Sequence, residues 1–151
     1  MSAQFGFEPE EIRTDESTRT ARLKWVILID RELDPGRAAN AAVCVAAATA
    51  TEVKGLLGPD GKDAAGAVHA GLPWAGCTIL GATRAELAEI RAKVTDGVHV
   101  TDMPEAAQAT RVYDDYLRQL AGDDAPAYLA VSLVGPRNRI DKLVKRLPLL
   151  Q

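Results

Sequence analysis

The sequence predicts an α/β fold of three layers, in which a four-stranded mixed sheet lies between helices. Four short runs of apolar and β-branched residues have the composition of strands, and the segments after them show helical spacing or helix-start signals. Strands that alternate with helices along a chain are typical of α/β architectures. The length of 151 residues suits one domain with a single hydrophobic core.

The domain is expected to occupy residues 23–151, preceded by a flexible tail over residues 1–22. The tail holds eight charged side chains and almost no periodic apolar pattern, as solvated chain ends do. Its two aromatic side chains, Phe5 and Phe7, leave docking of the tail open as the alternative.

The first strand leads directly into the first helix. Residues 23–30, LKWVILID, form a continuous run that predicts a central strand buried on both faces. Residues 34–50, DPGRAANAAVCVAAATA, predict a buried helix, because Asp34 suits the N-cap, Pro35 suits the first turn and alanine favours helix. The aromatic fraction of 5% indicates a core of small and aliphatic side chains.

A long connection separates this pair from the second strand. Residues 55–76 are rich in glycine and proline, which predicts an irregular loop of the kind that often carries functional residues. The second strand is expected at residues 77–82. The helix after it, over residues 83–94, is expected to begin with a capping box of Thr83 and Glu86.

Two more pairs of a strand and a helix complete the chain. A short strand is expected at residues 97–102, and residues 103–122 are expected to form one helix. The fourth strand is expected at residues 128–135, and the last helix follows at residues 136–147. The sheet therefore has four strands, each followed by a helix.

Charge and cysteine usage limit the classes of function. The formal net charge of -3 gives no general attraction to nucleic acid, so an RNA contact needs a local basic patch. Cys44 and Cys77 lie in apolar segments without metal-ligand spacing, so buried, unreactive thiols and no metal or cofactor are expected. The first residues do not resemble a signal peptide and no run has the length of a membrane helix, so a cytoplasmic protein without a membrane contact is expected.

The N-terminal end of the first helix holds a candidate binding site. Arg37 and Asn40 interrupt its apolar sequence close to the end of the first strand, where α/β folds bind ligands. An arginine beside the free N–H groups of a helix start suits a phosphate or a carboxylate. The alternative is that Arg37 points to solvent and Asn40 bonds a nearby backbone group.

Two carboxylates at strand ends form a second candidate. If the strands of Asp30 and Asp102 are neighbours, both carboxylates lie at one edge of the sheet, and such a pair can supply a general base for the attack of water. The alternative is that each caps a following turn. His69, in the long loop near Trp74, is a further candidate for substrate binding, whereas His99 is expected to be structural.

The last helix carries clustered positive charge. Its basic residues are Arg137, Arg139, Lys142, Lys145 and Arg146. This face is expected to be a solvated surface or a contact to a tRNA backbone, with Arg137 as the candidate substrate-binding residue. No aromatic residue interleaves with it, so the pattern gives no support to sequence-specific recognition.

Two blocks at opposite ends of the domain, LKWVILIDRELDPGRAANAAVCVAA and YLAVSLVGPRNRIDKLVKRLPLL, resemble the two ends of the type II peptidyl-tRNA hydrolase fold. Residues 23–151 as a whole more closely resemble a bacterial family known as domain of unknown function 2000, which is related to that fold. This closer resemblance includes the stretches GAVHAGLP and AAQATRVYDDY.

By position, Arg37 matches a basic residue of the hydrolases, and Asp102 matches an aspartate at the end of a strand. The glutamine and histidine of the hydrolase helix have no counterpart: Asn40 lies beside the first position, and Cys44 or Val45 occupies the second.

The resemblance implies a metal-independent hydrolase that needs no cofactor and acts on an ester or amide linked to a tRNA or a nucleotide. Its expected catalytic residues are Asp102 and Arg37, and its expected substrate-binding residues are Asn40, Asp30, His69 and Arg137. The alternative is a non-enzymatic module that binds a small anionic ligand at the N-terminal end of the first helix, or a partner protein through that helix. Self-association as a homodimer is also expected.

Overall fold

One four-stranded sheet and five helices make up most of the computed structural model of the chain, which describes residues 4–151. The strands in chain order are β1 (Leu23–Asp30), β2 (Gly61–Lys62), β3 (Val68–His69), β4 (Thr78–Ala82), β5 (His99–Pro104) and β6 (Tyr128–Pro136). The α-helices are α1 (Pro35–Glu52), α2 (Arg84–Ala92), α3 (Ala106–Ala109), α4 (Tyr113–Ala121) and α5 (Arg137–Val144), and two short 3-10 helices lie before β1 at Pro9–Glu11 and Thr18–Thr20.

The sheet is mixed, as the sequence predicted, and its strands lie in the order β4-β1-β6-β5. β1 is parallel to β4 and antiparallel to β6, and β6 is antiparallel to β5. The two-residue strands β2 and β3 form a separate hairpin within the long loop. The central position of β1 explains why its sequence is apolar along nearly its whole length.

α1 covers one face of the sheet. Side chains alternate between the two faces of a strand, which places Trp25 and Ile27 on this face, where they join the cluster that contains Ala41 and Val45. Ser132 is a buried polar residue there, and its hydroxyl oxygen accepts a hydrogen bond of 2.8 Å from the Trp25 indole. Small side chains therefore let α1 lie close to the sheet while the buried hydroxyl keeps a partner.

The opposite face is covered by α2 and α5, which completes the three layers. Val26 and Leu28 of β1 lie on this face, in the cluster that also contains Leu87 and Ile140. α2 begins with the predicted capping box, in which Thr83 and Glu86 bond each other's backbone N–H groups. The sequence prediction of this helix start is therefore confirmed.

Two helix predictions need correction. Residues 103–122 do not form one helix: β5 extends to Pro104, and the chain at Thr110 and Val112 is extended between α3 and α4. α1 is buried on one stripe alone, since Ala41 and Val45 are buried whereas Val43 is 65% exposed. A helix that covers one face of a sheet has an outer side that faces solvent, whatever its sequence.

The segment predicted as a flexible tail packs against the domain from residue 4 onward. Phe7 is 2% exposed and belongs to the core on the α1 face, with its ring centroid 4.9 Å from that of Trp74. Its backbone N–H donates to the Lys54 carbonyl oxygen. This docking replaces the expectation of a solvated tail, because Phe7 is buried and charged side chains of the segment find partners, as Glu8 does with Lys54. Residues 1–3 of the tail prediction lie outside the described residues.

No helix within residues 4–151 combines the length and the apolar character that a membrane-spanning segment needs.

Candidate functional site

A pocket of about 530 Å³ opens beside β5, between α1 and the α3–α4 segment. Pockets of this size accommodate small organic ligands. From α1 the lining residues are Asn40, Cys44, Val45 and Ala48, from β5 they are residues 101–104, and from the α3–α4 segment they are Ala107, Thr110, Arg111, Val112, Tyr113 and Tyr116.

The local sequence explains the shape of this pocket. Asn40, Cys44 and Ala48 recur every four residues, so they share one stripe of α1. The small side chains of Ala48 and Ala107 leave space between the helices. The extended backbone at Thr110 separates α4 from α3, so that α4 forms a second wall instead of continuing along the same axis.

Arg37 and Asn40 do lie together, joined by Gln108, beside this pocket. The Arg37 Nε–H donates to Gln108 Oε1 at 2.8 Å, and Gln108 Nε2 donates to Asn40 Oδ1 at 3.1 Å. Both contribute to a shallow depression of about 350 Å³ that shares Asn40 and Ala107 with the main pocket. Sequence reasoning missed Gln108, because the prediction of one helix over residues 103–122 gave no reason to bring it to α1.

Asp30 and Asp102 do not form a carboxylate pair, because β6 lies between β1 and β5. Asp30 is 1% exposed, and its Oδ2 accepts from the Arg84 Nε–H at 2.8 Å. Asp102 Oδ2 accepts from the Arg91 Nε–H at 3.0 Å. Each carboxylate therefore holds α2 or its first residue against the sheet. Asp102 still contributes to the pocket lining, whereas Asp30 does not.

His69 and Arg137 lie outside the pocket lining. His69 Nε2 is 2.9 Å from Asp63 Oδ2 within the β2–β3 hairpin, and both side chains are exposed. Arg137 donates to the backbone carbonyl oxygens of Ala21 and Thr18, at 3.2 and 2.9 Å, and so holds the N-terminal segment in place. The structure does not bring either residue to Arg37 and Asn40.

His99 has the structural surroundings that the sequence predicted. Its Nε2 lies 2.6 Å from Glu52 Oε2, at the end of α1, and its ring stacks on Phe5 with 6.1 Å between the centroids. Its Nδ1 is buried without a hydrogen-bond partner among the described residues.

The sequence interpretation also missed Arg111 and the two tyrosines of α4. Across residues 4–151 the Arg111 side chain makes neither an ion pair nor a hydrogen bond, unlike Arg37 or Arg91. The rings of Tyr113 and Tyr116 meet edge to face at 5.4 Å. Burial is the main cause that raises the pKa of the Tyr116 hydroxyl, and the proximity of Tyr113 and Asp102 raises this pKa further. The stretch RVYDDY could have indicated these pocket residues, because it places a cation beside two aromatic residues.

The two cysteines differ, which corrects the expectation that both are buried. Cys44 is exposed within the pocket lining, where its Sγ lies 3.9 Å from Asn40 Oδ1. Cys77 is partly buried, and burial raises the pKa of its thiol to about 12. No group of three His, Cys, Asp or Glu side chains in the described part of the chain could hold a metal ion.

Comparisons with known proteins identify relatives of unknown function. A family model described as protein of unknown function, DUF2000, matches residues 23–151. A solved structure of a protein of unknown function from Agrobacterium tumefaciens strain C58, Atu0240, is similar with a TM-score of 0.77 at 16% identity. The match covers 85% of this chain and 97% of that one, which shows a shared fold. None of the curated proteins matches the chain.

Proposed function

We infer that the chain belongs to the DUF2000 family, whose members are described as proteins of unknown function. Because the family gives no activity, we propose a function from the pocket itself: the pocket beside β5 binds a small anionic ligand. Arg111 carries the proposal, because it lines the pocket and has no anionic partner in residues 4–151. Arginine pairs readily with carboxylates and phosphates through two parallel hydrogen bonds.

The rest of the pocket supports a ligand with an apolar or aromatic body. Tyr113 and Tyr116 offer ring faces and hydroxyl groups, while Val45 and Met103 contribute apolar surface. Arg37, in the adjoining depression that shares Asn40 and Ala107 with the pocket, is a second cation near it. Arg37 and Arg111 therefore both add positive charge that attracts an anion to this part of the molecule.

The geometry favours binding over hydrolysis. Asp102, the expected activator of water, is paired with Arg91 on the face of the sheet that α2 covers. Among the described residues neither His69 nor His99 lines the pocket, so no histidine supplements that carboxylate. Hydrolysis of a tRNA- or nucleotide-linked ester or amide, and a relationship to type II peptidyl-tRNA hydrolases, stay predictions.

The tRNA contact and the homodimer also stay predictions. Four of the five basic residues at the end of the chain line a groove of about 590 Å³ against α2, namely Arg139, Lys142, Lys145 and Arg146, and this groove shares no residue with the pocket beside β5. Lys142 and Lys145 lie in that groove with Glu86 and Glu89. A role for this face is therefore independent of the anion-binding role.

A thermal-shift titration tests the proposal with phenyl phosphate and benzoate as anionic probes and benzamide as the uncharged analogue of benzoate. The anions are expected to raise the melting temperature of the wild type, since a ligand at 100 times its Kd stabilises by about 2.7 kcal/mol. Arg111→Ala is expected to abolish the shift. Arg118→Ala is the matched control, because Arg118 is an exposed arginine of α4 that pairs with Asp115 outside the pocket.

Two results would contradict anion binding: an equal shift by benzamide, or an unchanged shift in Arg111→Ala. The same protein is then assayed with peptidyl-tRNA. Turnover that Asp102→Asn abolishes would favour the hydrolase instead.

A further inference from the structure

The two outer edges of the sheet differ in what covers them. At β4, the C-terminal segment adds as a short extra strand: the Gly81 N–H donates to the Pro148 carbonyl oxygen, and the Leu150 N–H donates to that of Ile79. β5 pairs with β6 along one edge, and no strand of the described residues pairs with its other edge. The outer backbone groups of residues 100–103 therefore have no strand partner within the described chain.

The pocket runs along this free edge. Consecutive side chains of a strand point to opposite faces, so a cavity on one face contacts every second residue. All four residues from Thr101 to Pro104 line the pocket. A cavity that meets four consecutive residues lies against the edge of the strand, where the unpaired N–H and C=O groups point.

We propose that the pocket receives an extended acidic peptide, which adds as a strand to the outer edge of β5 and places a carboxylate at Arg111. This inference rests on the anion-binding role proposed above and names the class of ligand. A free strand edge provides alternating donors and acceptors that match the backbone of an extended chain. Arg111, unpaired in the described structure, provides the charge complement to a carboxylate.

The walls of the pocket suit such a peptide. α1 and α4 flank the edge, with Ala48 on one side and Tyr116 on the other, so side chains on both faces of an added strand would find a surface. The Thr101 hydroxyl is buried without a hydrogen-bond partner among residues 4–151, and it points to the face that α1 covers, opposite Ser132.

A second copy of the chain fits this edge less well than a peptide. The edge of β5 is recessed between α1 and α4, and in a second copy the same helices would flank the same edge. Two recessed edges cannot approach to the spacing of about 4.8 Å that paired strands require. A single extended chain without flanking helices can reach the edge.

The test uses the full chain and three synthetic probes. The first is the acetylated peptide Val-Thr-Val-Thr-Asp, the second is the same peptide N-methylated at alternate amides so that it cannot pair with a strand, and the third is N-acetylaspartate. Amide hydrogen exchange of residues 100–103 is followed by NMR together with the affinity of each probe, in the wild type, in Arg111→Ala and in the Arg118→Ala control.

The first peptide is expected to slow exchange in β5 at least tenfold where amides point outward. Its affinity is expected to fall about tenfold or more in Arg111→Ala, as for the loss of a charge-assisted hydrogen bond, and to stay unchanged in Arg118→Ala. The N-methylated peptide is expected to bind at least tenfold more weakly than the first.

Several outcomes would overturn the inference. Equal affinity for the two peptides, or no change in the exchange of residues 100–103 at millimolar peptide, excludes strand addition. Protection of β5 that depends on protein concentration and needs no peptide would assign the edge to a second copy. If N-acetylaspartate binds through Arg111 as tightly as the peptide, the anion-binding role stands and the peptide class is wrong.

Discussion

The Nε atom of Arg91 lies 3.0 Å from Oδ2 of Asp102, so α2 holds the carboxylate of the edge strand β5 in an ion pair. Asp102 lies directly opposite Val131 of β6, on the face of the sheet that carries the second core cluster. The pair is only partly exposed, with 36% of the Arg91 side chain and 22% of the Asp102 side chain accessible. This geometry gives Asp102 a structural partner in α2, whereas Arg111 has no ion-pair partner in residues 4–151.

We expect Asp102→Asn to reduce the stability of the fold without weakening the binding of phenyl phosphate. Loss of the ion pair is expected to cost about 0.5–1.5 kcal/mol in the free energy of unfolding, measured by urea denaturation. Arg91→Gln is expected to cost a similar amount, and the double variant less than the sum. The thermal shift by phenyl phosphate is expected to change less than about twofold; its loss in Asp102→Asn alone would place the carboxylate in ligand binding.

Phe7→Ala is expected to destabilise the whole domain. The ring is buried against Trp74, and loss of a buried phenylalanine side chain costs about 3–5 kcal/mol. Phe5→Ala is the matched control, because its ring is only partly buried, and we expect a smaller cost. Urea denaturation measures both. If neither variant changes the midpoint, the N-terminal segment does not belong to the cooperative unit.

The ion pair between Glu11 and Arg22 is expected to make stability depend on pH below about 4.5. The hydrogen bond from Arg22 is the main cause that lowers the Glu11 pKa from 4.5 to about 2. Because the folded-state pKa is lower than the unfolded one, this stabilisation is fully present above pH 4.5 and is lost as the pH falls towards 2.

Glu11→Gln tests this dependence. The variant is expected to be less stable than the wild type at pH 6, by about 0.5–1 kcal/mol because the pair is partly exposed, and equally stable near pH 2. Glu10→Gln, an exposed neighbour without an ion pair in the described structure, is the control. A constant difference between Glu11→Gln and wild type from pH 6 to pH 2 would contradict the assignment.

The two thiols are expected to react at different rates with iodoacetamide at pH 7.5. Cys44 is exposed in the pocket lining, whereas Cys77 is partly buried with its pKa raised to about 12, which leaves almost no thiolate. Mass spectrometry is expected to find Cys44 alkylated in the native protein and Cys77 only after unfolding.

Alkylation of Cys44 is also expected to prevent the thermal shift by phenyl phosphate, since the added group occupies the pocket. Cys44→Ser treated in the same way is expected to keep the shift. Full retention of ligand binding by the alkylated wild type would show that the ligand binds elsewhere.

The strands could be predicted more closely than the site. The prediction for residues 23–30 coincides with β1, and the capping box at Thr83 was found because its signal is local. Residues 103–122 were assigned to one helix, since the pattern of apolar residues in α4 does not reveal the break at Thr110. Exposure of Cys44 was also missed, because an apolar sequence does not say which side of a helix meets the sheet.

By itself the sequence determined the layers of this protein and the position of Arg37 and Asn40 in the first turns of α1, because burial and helix starts follow from side chains a few positions apart. Strand order, which separates Asp30 from Asp102 and leaves β5 at an edge, was decided by the tertiary structure. Pairing between distant strands depends on packing over the whole sheet, which no local pattern encodes. The pocket at Arg111 is a product of that packing.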